Sequence, residues 1–569
     1  MLTSSPDRIE QLTRDGWWGH LTLHDYLWQR TAEHPDLLAV ADQPDRVALA
    51  GGEVVRLSYQ ELNEAAFNLA CQLMDQKIGP GDVVLVQLPN ISELVVMYFA
   101  TSLVGAIISP LPVQYGEHEI KVASDTLSPK ALVTLSRLKD TEPARAARDF
   151  LAADINVFAF AGAAPEGATE LKIDSAENLA NHNRVQNHLE RYPADANATL
   201  TICWTSGTTG DPKGVPRSHN MWFATAQNSS EAAQYRQGDR VLNPFPLVNM
   251  AALGGFLFPF VLNGCSLVLH HPFDPPVFLK QMQDEMITFT IVPPAVLNQL
   301  AKAEDMWKAF DFRALRRIGS GSAPLAPWMI EVFDHKYGKQ IVNFYGSNEG
   351  IALFSTPETS EQPEVRASMF PRMGCDDMPW SGVTHEMVGT RVVKVDSEEE
   401  ITTPGEPGEL LFYGATVFDG YYGHSNEDVF TSDGWFRTGD LVEICEEAPN
   451  YYRIVGRCKD IINRGGMKIS PTELDILLDG MPQVAEAAVC AYRDDDLGER
   501  VCACVVPAEG QDEPTLSMIT DYLLGKGIAK FKLPEKRLVL DSLPRNPVGK
   551  VQRHMLEQRL LESLSESTD

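Results

Sequence analysis

Between Ser58 and Leu135 the chain alternates helical stripes with short, unbroken apolar runs, and that alternation limits the fold more than any other feature. Ser58 and Glu61 form a capping box. Leu62, Ala65, Ala66, Leu69, Ala70 and Leu73 then recur at helical spacing until Gly79-Pro80 stops them. Val83 to Leu88 follows as a continuous apolar run, the pattern of a strand covered on both faces. An apolar helix over Ser92 to Gly105, a strand over Ala106 to Ser109 and another over Lys130 to Leu135 repeat the theme. Strand, crossover helix and strand in series predict a parallel-sheet α/β layout.

At 569 residues the chain exceeds one typical core, so at least two domains are expected. The pattern changes near Gly456. A short helix over Thr472 to Leu478, strands over Val484 to Tyr492 and Val501 to Val506, a helix over Leu516 to Leu524, a strand over Arg537 to Leu540 and a closing helix near Val551 to Leu561 make a small α+β unit. The expected division is therefore 1–456 and 457–569. Asp140 to Asn197 and Thr356 to Ser381 read as irregular. The second lies between two motifs, where a loop can line an entrance.

With 48 basic against 78 acidic residues the formal charge is -30, which argues against nucleic acid and anionic membranes as partners. Nine scattered cysteines without a Cys-x-x-Cys pair read as buried thiols of a reducing cytoplasm, with Cys502 and Cys504 on one strand face. The opening MLTSSPDRIEQLTRDGWW shows no secretion signal. The most apolar stretch, Met250 to Leu262, is interrupted by Gly254, Gly255 and Pro259 and is too short to span a bilayer, so no integral membrane segment is expected.

Directly after the alternating run Thr199 to Trp204 comes TSGTTGDPKG, Thr205 to Gly214. Thr205, Ser206, Thr208 and Thr209 supply hydroxyls, Gly207 and Gly210 let backbone N–H groups turn inward, and Lys213 brings a point charge: a phosphate cradle. It is not a Walker loop, because Pro212 precedes Lys213 and Gly214-Val215 follows it. Farther on, Glu349 closes Phe344-Tyr345-Gly346-Ser347-Asn348-Glu349 at the end of a strand-like run, a suitable place for a carboxylate to hold Mg²⁺ on nucleotide phosphates. Gly319-Ser320-Gly321-Ser322-Ala323-Pro324 lacks the third glycine of a dinucleotide fingerprint. No Gly-x-Ser-x-Gly elbow is present, and His118-Glu119 and His385-Glu386 lack a second histidine at zincin spacing.

Read together, these motifs resemble the adenylate-forming superfamily of acyl-CoA synthetases, peptide-synthetase adenylation domains and firefly-type luciferases, from about Leu21 to Leu556. The resemblance implies a large N-terminal α/β domain of stacked, mostly parallel sheets with helices and a small, mobile C-terminal α+β domain. It implies nucleotide contacts at the Thr205–Gly210 loop, Lys213, Tyr345, Gly346 and Asn348, with Ser322, Ala323 and Pro324 against adenine and Asp440 and Arg457 on ribose. Glu349 is the implied metal carboxylate and Lys550, in Pro544 to Lys550, the implied catalytic lysine of the first step. Lys459 matches the hinge, and Gly465 and Gly466 flank the implied pantetheine channel. Where the family carries Thr, this chain has Asn348, which keeps a donor and loses the hydroxyl.

Tyr59 to Leu73, Ile462 to Ile469 and Gly527 to Leu543 look closest to the stand-alone aryl-acid AMP ligases of siderophore assembly, the dihydroxybenzoate-AMP ligase type. In those ligases a His-Asn pair precedes the pocket; here Val248 replaces the histidine and Asn249 is kept. The implied acid pocket is Asn249, Met250, Ser320 and Tyr345. A stripe such as Met250, Leu253 and Phe256 otherwise reads as core. The expected activity is ATP- and Mg²⁺-dependent activation of a small carboxylic acid, aryl or cyclic acids favoured, as acyl-AMP with release of pyrophosphate. Transfer to coenzyme A or to the phosphopantetheine of an acyl or aryl carrier protein follows. Rival readings are a medium- or long-chain fatty acyl-CoA ligase, a luciferase-like oxygenase and a catalytically silent binding protein.

Overall fold

The computed structural model describes residues 1–205, 212–321, 325–376, 378–395, 397–465, 467–494, 496–545 and 551–566. Two compact units emerge from its contacts: Met1–Gly389 with Phe412–Phe436, and Thr390–Leu411 with Arg437–Asp569.

The first unit holds two sheets. One has seven strands in the order Thr169–Glu170, Asn156–Phe160, Ala131–Leu135, Val83–Val86, Ile107–Pro110, Thr199–Thr205, Lys213–Ser218. All neighbours are parallel except the last pair, a hairpin. The other has eight: Ala352–Ser355, Gln340–Gly346, Arg317–Gly321, Phe289–Ile291, Arg240–Asn243, Ser266–Leu269, Leu38–Ala41, Arg56–Ser58. It is parallel throughout except at its two antiparallel edges. A single apolar cluster joins strands of both sheets, such as Val84 and Ile108 with Val241 and Leu267, to helices Tyr59–Asp75 and Ser92–Val104. Layered packing explains why every residue of Ser92–Val104 is buried. The fold class expected from the alternation is the one observed.

Local signals act as read. The Ser58 hydroxyl accepts from Glu61 N while the Glu61 carboxylate takes Ser58 N at 2.7 Å, and helix Tyr59–Asp75 starts there. Gly105, with φ 78°, ends the next helix in a left-handed cap. Leu253 and Phe256 are core, within the π-helical turn Leu253–Leu257. Asp140 to Asn197 is not irregular: it forms helices Pro143–Phe150 and Leu179–Arg191 and strands Asn156–Phe160 and Thr169–Glu170. Those helices bury only Ala144 and Ala147, and Val185, so few apolar side chains that the stretch resembles a loop in composition although Pro143–Phe150 is amphipathic. Thr356 to Ser381 likewise contains helix Pro363–Ser368 and strand Met369–Pro371.

In the second unit the hairpin Val484–Asp494 and Gly498–Pro507 pairs with Ile462–Arg464 on one side and, in parallel, with Lys536–Val539 on the other. Helices Pro471–Leu478 and Leu516–Gly525 supply Leu474, Leu478, Ile519 and Leu523 to its core. Contacts also run across position 456/457: the strand Tyr451–Arg457 pairs with Phe436–Ile444, and the Ser470 hydroxyl donates to Val455 O. Seven of the nine cysteines are buried, Cys375 and Cys458 only partly. Cys502 and Cys504 do share a strand face, with Cys490 opposite, and Leu543, Leu556 and Leu560 complete that cluster. Among the described residues no helix is long and apolar enough to cross a membrane.

Candidate functional site

Three of the expected segments follow the carboxyl ends of parallel strands, where open α/β sheets bind ligands. Thr205 ends Thr199–Thr205 and lies directly opposite Lys213 on the return strand, so this pair closes the base of the loop between them. Strand Arg317–Gly321 leads to the segment expected at adenine and Gln340–Gly346 to Glu349. Ser206, Gly207, Thr208, Thr209, Gly210, Ser322, Ala323, Pro324, Gly466 and Lys550 lie outside the described residues.

Lys213 and Glu349 are brought together by a residue the motifs had not singled out. The Tyr421 hydroxyl donates to Glu349 Oε1 at 2.9 Å, and the Lys213 ammonium lies 4.8 Å from the centroid of the same ring. One side chain thereby orients an anion and a cation beside the loop. The backbone on either side is tied as well: Phe418 N donates to Glu349 O at 2.9 Å, the Thr416 hydroxyl to Gly350 O at 2.7 Å, and Tyr422 N to Gly214 O at 2.9 Å. Gly350 has φ 111°, and a Cβ there would stand 2.0 Å from Thr416 O, so only glycine lets the two segments meet. The sequence signal for Tyr421 was the glycine-framed aromatic run Phe418-Asp419-Gly420-Tyr421-Tyr422-Gly423.

A second unforeseen residue is Arg217. Fully buried, it donates to Asn348 O (2.9 Å), Met221 O (3.0 Å) and the Thr225 hydroxyl (2.8 Å), and lies 4.3 Å from the Trp222 ring centroid. Burial pulls its guanidinium down to about 9, while the nearby Glu349 carboxylate acts in the opposite sense. It is still a cation at neutral pH.

Of the residues expected on the acid side, Asn249 caps the short helix Met250–Ala252, its Oδ1 accepting from Ala252 N at 3.4 Å. The Met250 sulfur lies against Gly254, where a Cβ would approach it to 2.8 Å. Ser320 is fully buried and donates to Val292 O at 2.8 Å. Tyr345 is half-buried, its ring 5.5 Å from that of Phe370. Gly346 permits the tight return toward Ile351, whose carbonyl would be 2.9 Å from a Cβ at this position. Asn348 is half-buried, and both ends of its carboxamide are hydrogen-bonded to backbone.

In the second unit Asp440 and Arg457 face each other across the hairpin in register, with Nε 2.6 Å from Oδ1. Asp440 is buried and Arg457 half-exposed, so the pair presents a carboxylate steadied by a guanidinium. Lys459, exposed, lies in the 3-10 turn Cys458–Asp460 that follows the strand. Gly465, at φ 57°, donates its N–H to Leu497 O at 2.7 Å.

A family profile described as AMP-binding enzyme matches residues 38–422, and one described as AMP-binding enzyme C-terminal domain matches residues 473–550. The chain is 31% identical to a salicylyl-CoA synthase / salicylate adenylyltransferase of Streptomyces sp, covering 95% of this chain and 94% of the relative. It is 30% identical to enterobactin synthase component E of Escherichia coli strain K12, covering 98% of each. Among solved structures, ATP-bound MatB from Rhodopseudomonas palustris superposes with a TM-score of 0.75 at 26% identity, over 95% of this chain and 99% of that one.

Proposed function

Since the chain belongs to the AMP-binding enzyme family and is an ATP- and Mg²⁺-dependent acid–thiol ligase that forms AMP, we propose that its acid is an aryl or other cyclic carboxylic acid. The likeness in sequence to a salicylate-activating enzyme and to enterobactin synthase component E supports that choice. The single observation carrying the site assignment is the Lys213–Tyr421–Glu349 array, whose Lys213 pairs with Thr205 at the base of the hydroxyl-rich loop.

In this reading a carboxylate oxygen of the acid attacks the α-phosphorus of ATP. The bond from that phosphorus to the bridging oxygen breaks, and pyrophosphate leaves with the electron pair. Thr205, the loop Ser206–Gly210 and Lys213 hold phosphate oxygens, Glu349 holds the metal, and Lys550 offsets the charge that gathers on the α-phosphate. Glu349 suits that metal: Mg²⁺ favours one or two carboxylates plus phosphate oxygens, and Tyr421 already fixes the direction of this one. Mg²⁺ held there would offset the negative charge of the phosphates. Ser322, Ala323 and Pro324 flank adenine, and Asp440, steadied by Arg457, accepts the ribose hydroxyls. Asn249, Met250, Ser320 and Tyr345 surround the acid.

The acceptor thiol then attacks the acyl carbon, AMP departs and the thiol proton passes to solvent. For this step residues 457–569 turn about Lys459, withdrawing Lys550 and opening a path beside Gly465 and Gly466. The acceptor is the pantetheine thiol of a carrier protein or of coenzyme A, which carry the same reacting group. A cytoplasmic location fits nine cysteines without a Cys-x-x-Cys pair, and the formal charge of -30 argues against nucleic acid as a partner.

The test is acid-dependent ATP–pyrophosphate exchange across aryl, alicyclic and aliphatic acids, then thioester formation with coenzyme A and carrier proteins. An aryl or cyclic acid is expected to give the highest kcat/KM; a preference for medium or long aliphatic acids would overturn the substrate assignment.

A further inference from the structure

Asn348 sits where three pieces of the site meet. Its side-chain Nδ2 donates to Trp204 O at 3.0 Å, one residue before Thr205 and the phosphate loop. Its Oδ1 accepts from Met250 N at 2.7 Å, the first residue of the acid-side helix. Its own carbonyl is taken by Arg217 at 2.9 Å, in the peptide that leads straight into Glu349. Arg217 also reaches the Thr225 hydroxyl, and the Thr225 methyl lies beside Gly254 together with the Met250 sulfur. Asn348, Met250, Thr225 and Arg217 thus form a closed ring, completed by packing at Gly254, and Trp204 ties that ring to the loop strand.

The segments joined by Asn348 are not equally anchored. Trp204 belongs to a strand laddered on both sides, by Ile107–Pro110 and Lys213–Ser218. Met250 is the first residue of an unbroken helical stretch, Met250–Ala252, Leu253–Leu257 and Phe258–Asn263, so its N–H has no acceptor within the helix. The placing of that first turn therefore depends on an outside partner for this amide. Losing the carboxamide would therefore leave the phosphate side in place and release the acid side.

We propose that Asn348 is a positioning residue that fixes the acid-binding segment at Met250 to the phosphate-loop strand, with Arg217 holding the same peptide from within the core. A threonine side chain is one heavy atom shorter and would have to serve Trp204 O and Met250 N through a single oxygen, where the carboxamide uses two separate atoms. The asparagine thus trades a hydroxyl for a brace. This inference rests on the function proposed above and adds the residue that sets acid affinity.

The experiment compares wild type with Asn348→Ala, Asn348→Thr and Arg217→Lys in pyrophosphate exchange, with hydrogen–deuterium exchange read at the Met250 amide. Removing two neutral hydrogen bonds should raise KM for the wild type's best acid by ~tenfold in both Asn348 variants. KM for ATP should stay within about threefold, because the laddered strand keeps its place. The Met250 amide should exchange ~tenfold faster, while helix His219–Ala233 keeps its protection. Arg217→Lys, which keeps the charge but not the fork, should show the same pattern in weaker form. A rise in KM for ATP with acid affinity intact would make residue 348 a phosphate ligand and overturn the proposal. Unchanged Met250 exchange would also overturn it, and so would loss of thermal stability with unaltered kinetics per folded molecule. If the wild type exchanged pyrophosphate with no acid, the assigned function would fail, while the Met250 measurement would still decide whether the brace exists.

Discussion

Tyr421→Phe removes one atom and nothing else from the array beside the phosphate loop. The lost bond, 2.9 Å long, ends on an ionised carboxylate that is largely buried, so water replaces it poorly. Hydrogen bonds to charged groups contribute ~1.5–3 kcal/mol, which corresponds to roughly 10–150-fold in rate or affinity. The lower end applies here, because the Glu349 backbone stays fixed by Phe418 N and its peptide by Arg217. Phenylalanine keeps the ring against Lys213 at 4.8 Å, so the cation–π term of ~0.5–2 kcal/mol is retained. Tyr421→Leu loses both. Pyrophosphate exchange at saturating ATP and acid, titrated with Mg²⁺, separates them. The phenylalanine variant should lose ~tenfold in rate and need more Mg²⁺; the leucine variant should fall a further ~twofold to thirtyfold. Wild-type Mg²⁺ dependence in Tyr421→Phe would refute the view that this hydroxyl aims Glu349.

Three further outcomes are expected. Burial lowers His24 to about 4, His219 to about 3 and His271 to about 4, so each is neutral in the folded chain while its unfolded counterpart takes a proton below about 6.5. Stability of the first unit should be level above that pH and fall by up to ~4 kcal/mol per pH unit toward pH 4, measured by urea unfolding; a flat profile between pH 7 and 5 would contradict it. Asp479, pushed up to about 6 by burial in the second unit, works in the opposite direction as pH falls. Gly350→Ala must place a Cβ 2.0 Å from Thr416 O at φ 111°, and should cost ~2 kcal/mol or more together with most exchange activity; a wild-type melting temperature would refute the close approach. Lys550→Ala should slow adenylate formation by roughly 10²–10³-fold yet spare thioester formation from supplied acyl-AMP, and equal loss of both steps would refute the division of labour.

What could be read from the sequence was whatever depends on neighbours within a few residues. The Ser58–Glu61 box, the buried strand at Val83 and the Gly105 stop are local patterns, and each element formed where expected. Helices Pro143–Phe150 and Leu179–Arg191 escaped because few strongly apolar residues mark their buried faces, although the amphipathic pattern of Pro143–Phe150 is there in the sequence. The motif residues Lys213, Glu349 and Asn348 stood out, but their partners did not. Tyr421 meets Glu349 across 72 positions and Arg217 meets Asn348 across 131, and no spacing rule reaches so far. Asn348 illustrates the limit most clearly: its identity was visible as a departure from a pattern, whereas what it does instead depends on where Trp204 and Met250 end up.

The uneven burial of the cysteines has a practical consequence. Seven thiols are sealed in cores, and Cys458, half-buried, is adjacent to Lys459. With Cys375 changed to serine, a maleimide dye would attach to the native chain at this one site, giving an optical reporter at the proposed pivot without any engineered attachment point. Stopped-flow fluorescence from that dye could time the turn between the two half-reactions as acid, nucleotide and thiol are added in sequence.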